Sequence, residues 1–169
     1  ELHKGVYRAR QPVQALAFAP STGGLWAADR KSLFRIDPDG RKSLELKLTG
    51  IAHLAADGHG GVWAADRKHA YSVDASGLVR SDTVPFQGRA GALVALDADP
   101  SDRTAWIASQ RRIAQIAPDG TLVREMPLEA IGSGRQIQAM AVYADIIPPE
   151  IAVTAPTSGA YLNDNTPTL

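Results

Sequence analysis

Short apolar runs alternate along the chain with polar, glycine-bearing tetrads, and nowhere does a 3.6-residue apolar period persist long enough for a sizeable helix. VQALAFA at 13–19, LWAA at 25–28 and LFRID at 33–37 read as short strands. The first two are apolar on both faces, as strands sandwiched between neighbouring sheets are, whereas LELKL at 44–48 alternates as an outer strand half in water does. Turn chemistry separates the runs: Pro20 to Gly24, Asp57 to Gly61 and Asp99 to Thr104 in one set, and DPDG (37–40), DASG (74–77) and APDG (117–120) in another. Glycine closes such turns because it takes positive φ without steric cost. The pattern predicts an all-β protein.

The same pattern repeats. Gly-Gly-Leu-Trp-Ala-Ala-Asp-Arg-Lys at 23–31 returns as Gly-Gly-Val-Trp-Ala-Ala-Asp-Arg-Lys at 60–68, with Trp26 to Trp63 and Gly40 to Gly77 both 37 apart. A third copy carries Trp106 and Gly120, both 43 further on, the extra residues falling before Trp106. Each copy supplies four strands, here lettered a to d. Strand a is VQALAFA, IAHLAA or LVALDA; strand b is LWAA, VWAA or AWIA; strand c is LFRID, AYSVD or IAQIA; strand d is the more polar. Four-stranded meanders of about 40 residues are the blades of a β-propeller. Alanine-rich strands a and b suit the tapering inner part of such a fold, and a tryptophan at one fixed blade position predicts buried packing against the next blade.

Three full blades do not close a ring, since propellers typically hold about 4–8. IQAMAV at 137–142 echoes VQALAF at 13–18 and reads as a fourth strand a, closing a ring whose remaining strands lie upstream; GVYRA at 5–9 reads as the last strand of a preceding blade. Pairing of two chains into one ring is the other solution. Unpaired blade faces and strand edges predict a chain that is marginally stable or oligomeric alone. After Asp145 the composition shifts, and Pro148-Pro149 marks a linker. The chain therefore divides into a propeller part at 1–145 and a linker with the start of a further module at 146–169. Glu1, in place of an initiator Met, points to a fragment or a mature piece.

An Ile-Ala strand, an Asp-Gly turn, a Val-Trp strand ending in Ala-Asp and a strand closing on Asp-x-x-Gly resemble the NHL and streptogramin-lyase-like propeller repeats, over about 13–145 and most clearly in 50–77. The WD and GH signatures of WD40 blades are missing. The segment from Pro148, with Pro-Pro-x-Ile-x-Val-x-x-Pro, a Gly turn and Asn-Asp-Asn-Thr-Pro, resembles the opening of bacterial Ig-like modules. Together the two resemblances imply a binding or structural propeller in a large exported or surface-attached bacterial multi-domain protein. They also leave room for a lyase-like enzyme, because streptogramin lyases use a histidine with an acidic partner on the propeller face; His69 is the only histidine in a comparable loop.

Composition narrows the chemistry. Eighteen basic and 18 acidic side chains cancel, which argues against a general nucleic-acid or membrane binder. The absence of cysteine removes disulfides and thiolate chemistry. No apolar run approaches the roughly 20 residues of a membrane helix. No nucleophile elbow, P-loop, dinucleotide fingerprint or metalloprotease motif occurs, so no catalytic residue and no cofactor is assigned. Gly58-His59-Gly60-Gly61 precedes a strand and reads as a turn, not as a phosphate loop. The four histidines His3, His53, His59 and His69 fall on different elements, with His53 aligned to Leu16 and Ala95, and they do not suggest a metal site. Asp97, Asp99 and Asp102 form D-x-D-x-x-D, but Pro100 and Ser101 interrupt a calcium-loop spacing.

One distribution of charge bears on function. Antiparallel order puts every b–c and d–a connection at one end of the blades, where DRKS (29–32), DRKH (66–69) and SQRR (109–112) lie in register and Arg89 and Arg135 add to them. Only Asp29, Asp66 and Glu129 oppose these cations. The other end gathers Asp37, Asp39, Asp57, Asp74, Asp97, Asp99, Asp102 and Asp119 against Arg41, Lys42 and Arg103. Turns are polar in any protein, and paired surface charges alone explain much of this. The functional expectation is that Arg30, Lys31, Arg67, Lys68, His69, Arg111 and Arg112 form a ligand-binding end for an anionic partner such as an acidic polysaccharide, a phosphate-bearing ligand, a nucleic acid or an acidic protein surface.

Overall fold

The glycine tetrads turn each copy back on itself, and the result is a series of antiparallel meanders. A computed structural model describes residues 11–86, 91–128 and 137–142, together with Tyr7 and Ala9. The first sheet holds β1 (Ala15–Ala19), β2 (Gly24–Ala28), β3 (Leu33–Ile36) and β4 (Lys42–Leu46) in that order. The second holds β5 (His53–Ala56), β6 (Val62–Ala65), β7 (Ala70–Val73) and β8 (Val79–Thr83), and the third β9 (Leu93–Ala98), β10 (Ala105–Ser109), β11 (Arg112–Ile116) and β12 (Leu122–Pro127). Strand β1 contacts β5 and β5 contacts β9, while the outer strands make no comparable contacts, so the sheets fan out from their first strands as blades do.

Strand pairing sets the equivalences. Trp26 stands opposite Ala17 and Arg35, Trp63 opposite Ala55 and Ser72, and Trp106 opposite Asp97 and Gln115. The three tryptophans thus occupy one position, as the repeat requires. His53 differs from the expectation. It pairs with Ala65, as Ala15 pairs with Ala28 and Ala95 with Ala108, so its counterpart is Ala15 and not Leu16. The a–b connection of the first blade carries one more residue than that of the second, which shifts strand a against the constant spacing of strand b. A one-residue shift reverses the face, and His53 therefore points towards the third blade.

Each blade presents its tryptophan face to the next. Ala19, Trp26, Ala28 and Leu33 form one core with Val62, Ala64 and Val73 of the second blade, and Ala55, Trp63, Ala65 and Ala70 another with Ala105, Ile107, Ala114 and Ile116 of the third. Alanines let the sheets approach, and the indole fills the wider outer space. A polar contact locks each joint: Trp26 Nε1–H donates to the Gly60 carbonyl at 3.1 Å and Trp63 Nε1–H to the Arg103 carbonyl at 2.9 Å. Gly23, Gly60 and Arg103 each stand three residues before their own tryptophan, and all three have positive φ, at 66°, 90° and 65°. Arg103 takes, at a cost of about 1–2 kcal/mol, a conformation that glycine takes freely. Its guanidinium also binds Asp57 of the second blade through Nε at 3.1 Å and Nη2 at 2.9 Å.

The outer faces of the series behave differently from the inner joints. Leu16 and Phe18, which face away from the second blade, are 57% and 61% exposed. On that side Tyr7 packs its ring 5.1 Å from Phe34 and donates its amide to the Gly40 carbonyl at 2.7 Å; of the strand expected at 5–9, only Tyr7 and Ala9 are described. Trp106 is only partly buried, unlike Trp26 and Trp63, because no complete blade covers it; its indole N–H has no acceptor among the described residues, and Arg124 lies over the ring at 5.7 Å. The boundary near 145 and the linker and Ig-like opening at 146–169 fall outside the described residues.

Candidate functional site

The b–c loops share one construction. Asp29 Oδ1 accepts the amides of Lys31 and Ser32 at 2.8 and 2.9 Å, and Asp66 Oδ1 those of Lys68 and His69 at 2.6 and 2.7 Å. In the third copy Ser109 Oγ takes the amides of Arg111 and Arg112 at 3.2 and 3.0 Å. The aspartates are thus turn-formers, folded inward beneath their own loops. Burial would raise the pKa of Asp29, but the Lys31 and Ser32 amides outweigh it and hold the carboxyl below its ordinary value. What the loops send outward is the cations: Arg30, Lys31, Arg67, Lys68 and Arg111 are exposed and make no ion pair among the described residues. Lys31, Lys68 and Arg111 each lie five residues after the blade tryptophan and form an equivalent set.

Two of the expected residues are tied down instead. His69 Nδ1 lies 2.7 Å from Asp82 Oδ1, and Arg112 Nη1 donates to Glu125 Oε1 at 2.6 Å. Glu45, Asp82 and Glu125 stand opposite Phe34, Tyr71 and Ala114 on the outer strands, one per blade. They correct the expectation that only Asp29, Asp66 and Glu129 oppose the basic loops. The spacings of 37 and 43 residues, applied to strand d, would have revealed them. Arg89, Glu129 and Arg135 fall outside the described residues.

Between the first d–a connection and the second b–c loop lies a cleft of about 850 Å³, walled by Thr49 and Gly50, the run Asp66 to His69, and the apolar Val84, Phe86 and Leu93. His69 stacks on Tyr71, whose hydroxyl donates to Asp66 Oδ2 at 3.3 Å. Burial, together with the charges of Asp66 and Asp82, pushes the Tyr71 phenol up to about 12, so it stays protonated and a donor.

At the opposite end the carboxylates also serve turns. Asp57 accepts the amides of His59 and Gly61, Asp99 that of Ser101, and Asp102 that of Thr104. Asp74 is held down to about 2, chiefly by the Ser76 hydroxyl. Asp97 accepts the amide of Val142 at 2.6 Å, so the D-x-D-x-x-D carboxylates point to different tasks. Among the described residues no three metal-ligating side chains converge.

His53 lies at the start of β5, on the basic end. Burial lowers its pKa below 6.5, opposed by a hydrogen bond to the Leu93 backbone. The unfolded chain then binds this proton more readily, and stability is expected to fall as pH drops below about 6.5 until the folded imidazole itself protonates. His53→Ala, which copies Ala15 and Ala95, is expected to flatten that part of the profile. Urea midpoints measured at intervals between about pH 5 and pH 7.5 check it; an unchanged slope in the variant refutes it.

Fanned four-stranded meanders joined tryptophan face to back define this chain as part of a β-propeller. Solved structures agree: a chain titled "Structure of U3-55K" superposes with a TM-score of 0.60 at 16% identity, over 72% of this chain and 41% of that one. The RRP9 WD40 repeats superpose with the same score and identity, over 72% of this chain and 40% of theirs. The chain thus spans about 40% of the length of those solved chains. At such identity the likeness shows the fold alone. No family model matches the sequence, and no curated protein does.

Proposed function

We infer that this propeller is a non-catalytic binding module whose b–c loop end receives an anionic polymer, an acidic polysaccharide being the class that best suits an exported protein. One observation carries the reading: Lys31, Lys68 and Arg111 occupy the same loop position in successive blades, exposed and with no ion pair among the described residues, above carboxyl or hydroxyl groups turned inward to hold the loops. Cations repeated at blade spacing match charges repeated along a polymer. The setting in an exported bacterial multi-domain protein, with NHL-like blades and an Ig-like neighbour, is supported by the sequence resemblances.

Lys68→Glu and Arg111→Glu, made singly, are each expected to lower retention on an immobilised polyanion several-fold at about 50 mM salt, while Arg41→Glu at the other end leaves it nearly unchanged. Equal effects from all of them, or no retention of the unaltered chain at low salt, refute the reading. The lyase-like alternative has one observation in its favour, the 2.7 Å contact of His69 with Asp82 beside the cleft. It requires turnover that disappears in His69→Ala; anion retention that survives that substitution, without turnover in either protein, favours the binding module.

A further inference from the structure

The third copy exceeds the 37-residue spacing by six, and strand register shows where most of the excess lies. The outer strands β4 and β8 stand 37 apart, but His53 and its counterpart Ala95 are 42 apart, so the connection from β8 to β9 is five residues longer than that from β4 to β5. The longer connection builds a wall that the repeat does not require. Val84, Phe86 and the run Gly91 to Leu93, all from it, line the cleft of about 850 Å³ beside the second b–c loop. Such a volume lies in the range of about 300–1,000 Å³ that ligand clefts occupy. The returning chain is tied to the basic loop, since the Leu93 amide donates to the Arg67 carbonyl at 3.0 Å.

Apolar, cationic and hydrogen-bonding groups meet in this cleft. Val84 is an exposed apolar side chain, and Arg67 and Lys68 are exposed cations with no ion pair among the described residues. The carboxylates beside them are already engaged: Asp66 Oδ1 takes its loop amides, Asp66 Oδ2 the Tyr71 hydroxyl, and Asp82 the His69 ring. With Asp82 accepting the Nδ1 proton, Nε2 of the neutral His69 ring is an acceptor with no partner among the described residues. No side chain narrows the cleft at Gly50 or Gly91, where an added Cβ would meet no atom within 4 Å. A bare polyphosphate has no apolar face to lay on Val84. A nucleobase needs an aromatic ring to stack on, and here Phe86 is buried and the His69 ring is stacked on Tyr71. We propose that the cleft is a subsite for a uronate unit of an acidic polysaccharide. The carboxylate pairs with Arg67 or Lys68, the C–H face of the ring lies on Val84, and a ring hydroxyl donates to His69 Nε2. The proposal rests on the basic end receiving a polyanion and adds the chemistry that this end selects.

Calorimetric titration of the full chain with an oligogalacturonate, beside inorganic polyphosphate, tests it at about 50 mM salt. Ala92→Trp, which fills the cleft, is expected to lower the affinity for the uronate relative to polyphosphate by about tenfold. Val84→Asn, which makes the exposed wall polar at unchanged charge, is expected to lower the same ratio by about threefold and keeps the test open should the larger side chain disturb folding. Val123→Asn, at an exposed apolar position on β12 outside the cleft, is expected to leave the ratio as it is. Methyl-esterified oligogalacturonate is expected to bind about tenfold more weakly than the acid, having lost the charge that meets Arg67 and Lys68. Uronate affinity that survives both cleft variants, or polyphosphate binding without uronate binding, overturns the subsite while the basic end still stands as a polyanion receptor. Binding of neither ligand by the unaltered chain overturns both.

Discussion

Trp63→Ala is expected to lower the unfolding free energy by about 3–5 kcal/mol, the cost of an unfilled cavity at a rigid joint. Trp63 is 1% exposed, packed between second and third blades whose surrounding residues are mainly alanines on regular strands, so little can move in to fill the space. The substitution also strips the Arg103 carbonyl of its donor. Trp26→Ala should behave alike, since Trp26 is fully buried and bonds the Gly60 carbonyl. Trp106→Ala is the informative contrast. There the ring is only partly buried and its N–H has no acceptor among the described residues, and a loss of about 1 kcal/mol is expected. Urea titration of the three variants checks the order; equal losses would mean that the joints do not differ as described.

Asp57→Ala is expected to cost about 3 kcal/mol, although the residue lies in a turn, where substitutions are commonly mild. Its side chain is 6% exposed and serves both blades at once. One oxygen closes the a–b turn through the His59 and Gly61 amides, each at 2.8 Å, and the other takes the fork of Arg103 from the third blade. Removing the carboxylate leaves the buried Gly61 amide without an acceptor and Arg103 without its counter-charge while its backbone remains in positive φ. Arg103→Gly separates the contributions, because it relieves the backbone and deletes the ion pair together. It is expected to cost clearly less than Asp57→Ala. If the two variants are equally destabilised, the ion pair and not the turn accounts for the effect.

Much of the architecture was legible because a repeat states the same physical problem three times. The equal spacing of Trp26, Trp63 and Gly40, Gly77 defined the meander, and glycine tetrads marked where it turned. The spacing failed at His53, since strand a is placed by the a–b turn and a single residue of turn length reverses a face. The same spacing links Glu45, Asp82 and Glu125, but these sit on the polar side of the outer strands, away from the apolar positions that define the blades. The basic end was readable as a set of loops, but not which of its cations were engaged: Arg112 and Arg111 are adjacent in sequence, and only pairing across to Glu125 distinguishes them.

By itself, then, the sequence determined the strand order, the blade repeat and the end of the blades on which each charged loop falls, because these follow from local turn chemistry and from periodicities of the chain. The tertiary structure decided what depends on distance between residues some forty positions apart: which carbonyl each indole meets, why Arg103 stands where the other copies have glycine, and why three equivalent tryptophans are unequally buried. It also seated Ile137 and Met140 against the tryptophan face of the third blade. A repeat encodes each unit and its two faces alike, whereas burial depends on whether a second surface lies against them.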